Sequence, residues 1–189
     1  MQRLNKIFFQ HHTLKIAREL LGNFLIRVIN RKKIIALITE TEAYHGLNDL
    51  ASHASRGRTQ RTEVMFGPAG YAYVYLIYGM YYCFNIVTGP KNFPAAVLLR
   101  GIKIINNQKS ITDSLYIKGP GRVCRELKID KNLNKENLLK SNKLFVVEDK
   151  KLLKKIYLQG FIIKKTPRIG VDYAGEYKNK PWRFIFVSK

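Results

Sequence analysis

At 189 residues the chain has the length of one domain with a full core, and its 34 Lys and Arg against 13 Asp and Glu give a formal net charge of +21. That excess speaks for a polyanionic partner and leaves the fold open. Cys83 and Cys124, the only cysteines, stand too far apart for a Cys-x-x-Cys site and too few for a disulfide framework, which suits a reducing cytoplasm.

The N-terminus carries only the short apolar run Ile7-Phe8-Phe9, so no export signal is expected. Thr13 is placed as an N-cap. Behind it Leu14, Ala17, Leu20 and Leu21 recur at helical spacing, and Gly22 is the stop. Phe24 to Val28 and Ile34 to Thr41 are β-branched and aliphatic runs whose joint, Asn30-Arg31-Lys32, reads as a hairpin. Along the second run Ile34, Ala36, Ile38, Glu40 and Glu42 share parity, so extended backbone would set both carboxylates on one face about 7 Å apart.

A Ser/Gly/Thr/Gln-rich loop follows, carrying Arg56, Arg58 and Arg61 with no acid among them. Guanidiniums on loop backbone suit phosphate contacts; a merely solvated loop is the plain alternative. From Met65 to Pro90 the chain is uncharged and holds six tyrosines, Tyr71, Tyr73, Tyr75, Tyr78, Tyr81 and Tyr82. Such rings are either core or a platform on which unstacked bases can stack. A membrane span is rejected, because the tyrosines, the internal glycines, Pro68 and Asn85 would leave many polar groups in hydrocarbon. Tyr71 to Tyr78 and Tyr82 to Thr88 are strand candidates with Tyr78 at the turn between them.

Ala95 to Arg100 makes a fifth run, and Gly119-Pro120-Gly121 should start a helix through Leu127. Leu144 to Val147, Arg168 to Val171 and Phe184 to Val187 are the remaining strand candidates. Lysines and asparagines from Lys103 to Lys165 are interleaved with acids and read as solvated loop and helix faces. The expected fold is α+β, a single mixed domain over 1–189 with mostly antiparallel, hairpin-connected strands and short flanking helices.

The chain has no His-Glu-x-x-His, Walker A lysine, Gly-x-Ser-x-Gly or dinucleotide fingerprint, which leaves a carboxylate as the best candidate base. Glu42 stands out because Glu40 at i−2 is a like charge, and an aromatic surround would raise its pKa further by desolvation. Each candidate partner also has a plain structural reading. Tyr44 and Tyr75 could be core aromatics, His53 a satisfied loop histidine, Asn85 a strand residue bonded to a neighbour, and Arg100 an ion-pair partner of Glu42.

Glu40-Thr41-Glu42-Ala43-Tyr44, Ala51-Ser52-His53, Arg56-Gly57-Arg58-Thr59, Met65-Phe66-Gly67-Pro68-Ala69-Gly70, Tyr73 through Met80 and Asn85 follow one another in this order. Val97-Leu98-Leu99-Arg100, Gly119-Pro120-Gly121, Arg168-Ile169-Gly170-Val171 and Pro181-Trp182-Arg183-Phe184 continue the series. In this the chain resembles the alkyladenine (3-methyladenine) DNA glycosylase family over nearly its whole length. The resemblance implies that Glu42 is the general base for an attacking water, that Arg100 helps hold that water or the adjacent phosphate, and that the Ile169 carbonyl is a further water ligand. It implies a base pocket of Tyr44, His53, Tyr75 and Asn85, a DNA wedge in Tyr78, and backbone contacts from Arg56, Arg58 and Arg61.

Those roles suit the chemistry, since an enzyme acting on a base within a duplex must extrude it, fill the gap and read it by stacking and edge contacts. The substrate implied is double-stranded DNA with alkylated or deaminated purines. No cofactor or metal, no membrane and no second subunit are expected, with a bacterial-type chain working in the cytoplasm on the nucleoid. Because no lysine in these motifs offers a Schiff-base nucleophile, simple hydrolysis without strand cleavage is expected. Gln60 and Thr62 depart from the proline and asparagine of many relatives. The stretches 104–118 and 132–165 match least and are expected to be variable surface.

Overall fold

The computed structural model describes residues 1–105, 115–158 and 160–188. After β1 (Gln2–Arg3) come two short helices, α1 (Lys6–Gln10) and α2 (Thr13–Glu19), then β2 (Phe24–Ile29) and β3 (Lys32–His45). Asn30 and Arg31 both take positive φ, 47° and 64°, as a two-residue hairpin with right-handed strand twist demands. The α2 helix begins at Thr13 with His12 as its cap, so Thr13 is not the N-cap. Its hydroxyl is instead shared with Thr88 Oγ1 at 3.0 Å and His45 Nδ1 at 2.9 Å, where burial favours a partner over a helix-end bond.

The rest of the chain supplies β4 (Ala72–Ile77), β5 (Tyr81–Val87), β6 (Ala95–Ile104), β7 (Leu115–Lys118), α3 (Pro120–Glu126), β8 (Leu144–Glu148), α4 (Lys150–Leu158), β9 (Phe161–Thr166) and β10 (Arg183–Ser188). All pairings are antiparallel in one ten-stranded sheet, and the fold is α+β. Its axis is the long pair β3 and β6. On the outer edge of β3, β2 covers Lys32 to Leu37 and β10 covers Glu40 to Glu42. On the outer edge of β6, β5 covers Ala96 to Leu98 and β7 covers Gly101 to Ile104. The core lies where α2 and α3 meet this axis, with Ile16, Ala17, Val123 and Cys124 buried against Ile38, Phe84, Val97 and Leu99.

Two further sequence expectations do not hold. Arg168 to Val171 is not a strand; it is bent backbone held by side-chain bonds, as described below. The lysine-rich stretch 132–165 is not only surface, since it holds β8, α4 and all but the last residue of β9, and Leu133, Leu138, Leu144, Val146 and Ile156 are core. Of 104–118, residues 106–114 lie outside the described residues, and β7 buries Ile117.

The feature that matters most for function is a double slip in the β3–β6 register. Ile38 pairs with Ile102, Glu40 with Gly101 and Thr41 with Leu99, so Thr39 on one strand and Arg100 on the other have no residue opposite. Such irregularities re-aim side chains locally. Here they let Glu40, Glu42 and Arg100 converge. The strands approach so closely that a Cβ on Gly101 would lie 2.8 Å from Glu40 Cβ.

Candidate active site

Glu42 lies at the point where β3 is flanked by β6 and β10, and its side chain is 0% exposed. Both carboxylate oxygens are held. The Tyr44 hydroxyl donates to Oε2 at 2.9 Å, the Ile169 N–H donates to Oε1 at 2.9 Å, and Arg100 Nε stands 3.4 Å from Oε1. Arg100 Nε also donates to Glu40 Oε1 at 3.2 Å, and Arg183 Nε donates to that same oxygen at 2.6 Å. Burial pushes the Glu42 carboxyl above its usual range, while Arg100, the Ile169 amide and the Tyr44 hydroxyl pull it back. Glu40 adds only the smallest upward push, because its charge is shared between two arginines. The sequence-based direction was right; desolvation, rather than the like charge, dominates.

Glu42 itself does not line a pocket, but its partners Tyr44, Arg100 and Ile169 do: they belong to the wall of a cavity of about 530 Å³, within the range of small-molecule sites. Tyr44, His53, Tyr75, Tyr78, Asn85, Arg100 and Ile169 all line it. The His53 and Tyr75 rings meet edge to face at 4.5 Å, and His53 Nδ1 is 3.0 Å from the Tyr73 hydroxyl. Burial, then the nearby Arg61 and Arg56, lowers the His53 pKa to about 4, so the imidazole is neutral at physiological pH. Burial likewise holds Tyr44 and Tyr75 well above the ordinary phenol value. The pocket therefore presents neutral ring faces and edges beside one buried carboxylate. Asn85 reaches the lining from β5 with its Nδ2 donating to the Tyr73 carbonyl at 3.2 Å.

The rim is made by the β4–β5 turn and the arginine loop. Tyr78 is 81% exposed and takes φ 54°, with Gly79 at φ 69° beside it. A tyrosine in the left-handed region is uncommon, and this one is kept there by a tight hairpin that thrusts it outward. Arg56, Arg58 and Arg61 are exposed beside the pocket and do not line it. Arg58 contacts Asn92 Oδ1 at 3.0 Å and lies over the Phe66 ring, and Arg61 donates to the Leu76 carbonyl and lies over Tyr75. Thr62 is buried: its hydroxyl accepts from the Thr59 N–H and donates to the Gly57 carbonyl, pinning the loop.

A model of the family described as methylpurine-DNA glycosylase (MPG) matches residues 7–189. A protein of Legionella pneumophila (strain Corby) named "Putative 3-methyladenine DNA glycosylase" is 44% identical over 194 residues, covering 100% of both chains. Similar proteins of the same name in Methanocella arvoryzae (strain DSM 22066 / NBRC 105507 / MRE50) and Desulfitobacterium hafniense (strain Y51) are 45% and 40% identical. They cover 97% of this chain and 92% and 95% of their own. The chain belongs to the methylpurine-DNA glycosylase family.

Sequence reasoning missed one pair of this family member's site. Asp49 and Arg168 form a two-pronged ion pair, Nη1 to Oδ2 at 2.6 Å and Nη2 to Oδ1 at 2.8 Å, with both side chains 0% exposed. Arg168 had been placed on a strand, and Asp49 sits in a loop with no pattern of its own. Arg122 and Arg125 of α3 were also missed, although both line the pocket.

Proposed function

We propose that this protein, a DNA glycosylase of DNA repair by family, hydrolyses the N-glycosidic bond of alkylated or deaminated purines flipped out of duplex DNA. The observation that carries the reading is Glu42. It is a fully buried carboxylate with a raised pKa, held by two hydrogen-bond donors and the Arg100 guanidinium, all three from residues that line an aromatic pocket of about 530 Å³.

A carboxylate whose pKa lies nearer the working pH is a stronger base toward water. Glu42 takes one proton from water, the water oxygen bonds to C1′, and the electrons of the C1′–N bond leave with the purine. A base alkylated at a ring nitrogen carries positive charge and leaves neutral, which is why little more than water activation is needed. The same charge is drawn to the Tyr44 and Tyr75 faces, by about 0.5 to 2 kcal/mol per ring. Neutral His53 reads the base edge by hydrogen bonding, Asn85 crowds an exocyclic amino group, and exposed Tyr78 fills the gap left in the stack. Ile169 presents its N–H to Glu42, so it helps orient the base as well as offering its carbonyl to the water. No lysine lines the pocket among the described residues, which supports hydrolysis without a lyase step.

The test is release of free purine from methylated duplex DNA and from a duplex with one hypoxanthine, in EDTA. Wild type is expected to release base, and Glu42→Gln to lose about 10² to 10⁴ of the rate while still binding lesion DNA. DNA binding without release by wild type would make the chain a binding module instead.

A further inference from the structure

The Asp49–Arg168 pair has no place in the reaction just described and does not line the pocket. A buried ion pair contributes little net stability, because losing the hydration of two charges offsets their attraction. Its geometric demands are strict, since two parallel N–H···O bonds fix a planar guanidinium in one orientation.

Here that orientation reaches Glu42 from both sides. Arg168 Nη1 also donates to the Ala43 carbonyl at 2.9 Å, and its guanidinium lies 4.8 Å over the Tyr44 ring and 4.9 Å over the Trp182 ring. Asp49 accepts the N–H groups of His45 and Ala51, each at 3.1 Å. Tyr44 is thus fixed through its two chain neighbours and through its ring, and its hydroxyl holds Glu42 Oε2. The next residue after Arg168 is Ile169, whose N–H holds Glu42 Oε1. One ion pair anchors the donors on both carboxylate oxygens.

We propose that Asp49 and Arg168 are positioning residues that lock Tyr44 and Ile169 onto Glu42, fixing the direction in which the carboxylate meets its substrate water. The proposal rests on Glu42 being the base. Both donors favour the charged carboxylate, so loosening them moves the acid limb of the rate profile toward higher pH. A change that merely lowered the folded fraction would scale the rate equally at every pH.

The experiment is single-turnover release of hypoxanthine from a duplex between about pH 5 and 9, with lesion-DNA affinity and circular dichroism measured alongside. The proteins are wild type, Arg168→Lys, Asp49→Asn, Ile169→Pro and the Arg168→Lys/Ile169→Pro double variant. Arg168→Lys keeps the charge and loses the fork; Ile169→Pro deletes the N–H directly and keeps both charges of the ion pair. Each is expected to lower the plateau rate by about tenfold to a hundredfold, to raise the acid limb, and to leave lesion-DNA affinity within about threefold. The double variant should shift the limb less than the sum of the singles, because both act on the Ile169 donor. A uniform loss with the limb unmoved would reduce the pair to a structural clamp and overturn the proposal. Should Arg168→Lys fail to fold, Asp49→Asn, which keeps the carboxylate's shape, decides by the same criterion. No release by wild type would overturn the glycosylase reading instead, so the two failures are distinguishable.

Discussion

Glu42 is a carboxylate kept where a carboxylate is least comfortable, and that has a cost in stability with a definite sign. Its folded pKa is raised, chiefly by burial, so the native state holds the proton more tightly than the unfolded chain. The penalty is fully present above the folded pKa and is relieved as pH falls through it. Glu42→Gln should therefore unfold at the same temperature as wild type or a few degrees higher near pH 8, with the difference shrinking as the pH falls through the acid range, in thermal scans at a series of pH values. A lower melting temperature near pH 8 would mean that Arg100 and the two donors outweigh desolvation. His53 runs the opposite way. Its pKa falls from 6.5 to about 4, so between these values the unfolded chain binds the extra proton and stability drops as pH falls. His53→Gln should lose less stability than wild type between about pH 6.5 and pH 4.5.

At the scale of elements, the site is a product of the β3–β6 slip, and Gly101 is what permits it. A methyl group there would stand 2.8 Å from Glu40 Cβ and 3.0 Å from Thr39 Oγ1, both on the facing strand. Gly101→Ala should cost about 1 to 3 kcal/mol in urea unfolding and slow base release as well, because the displaced strand carries Glu40 and Glu42. The hairpin β4–β5 separates function from stability instead. Tyr78→Ser removes an exposed ring from a strained turn, so lesion-DNA binding should weaken by roughly 1 to 3 kcal/mol while the melting temperature holds. The local parts of this arrangement were legible in the sequence: the β2–β3 and β4–β5 hairpins, Tyr78 at a tip, the α3 start at Pro120, and the shared parity of Glu40 and Glu42. What was not legible depends on distant partners. The slip needs β6, whose Arg100 lies 60 residues on from Glu40, to press Gly101 on Glu40. The Asp49–Arg168 bond spans 119 positions, and no local pattern announces it. β9 and α4 were hidden because their lysines mask the apolar residues that join the core, Ile156 and Ile163 among them.

For the whole molecule, the formal charge of +21 acts in two different ways, and salt separates them. Every lysine adds to the long-range field, but only cations that touch phosphates release counterions, and each such contact steepens the fall of log K with log salt by about 0.9. Arg56 is exposed beside the pocket and makes no hydrogen bond or ion pair among the described residues, so its guanidinium is available to a phosphate. Lys151 is equally exposed, but it lies on α4, whose Leu153 and Tyr157 border a separate groove of about 750 Å³ and take no part in the pocket lining. Arg56→Ser should therefore reduce the salt slope by about one unit, weaken binding similarly for all duplex sequences, and leave the melting temperature unchanged. Lys151→Ser should leave the slope as it is, although it removes the same formal charge. Titrating both variants and wild type against a lesion duplex by fluorescence anisotropy, at several salt concentrations, decides the matter. Equal slopes for Arg56→Ser and wild type would move the duplex off the arginine loop, and α3, with Arg122 and Arg125 at the other side of the pocket, would be the next surface to titrate.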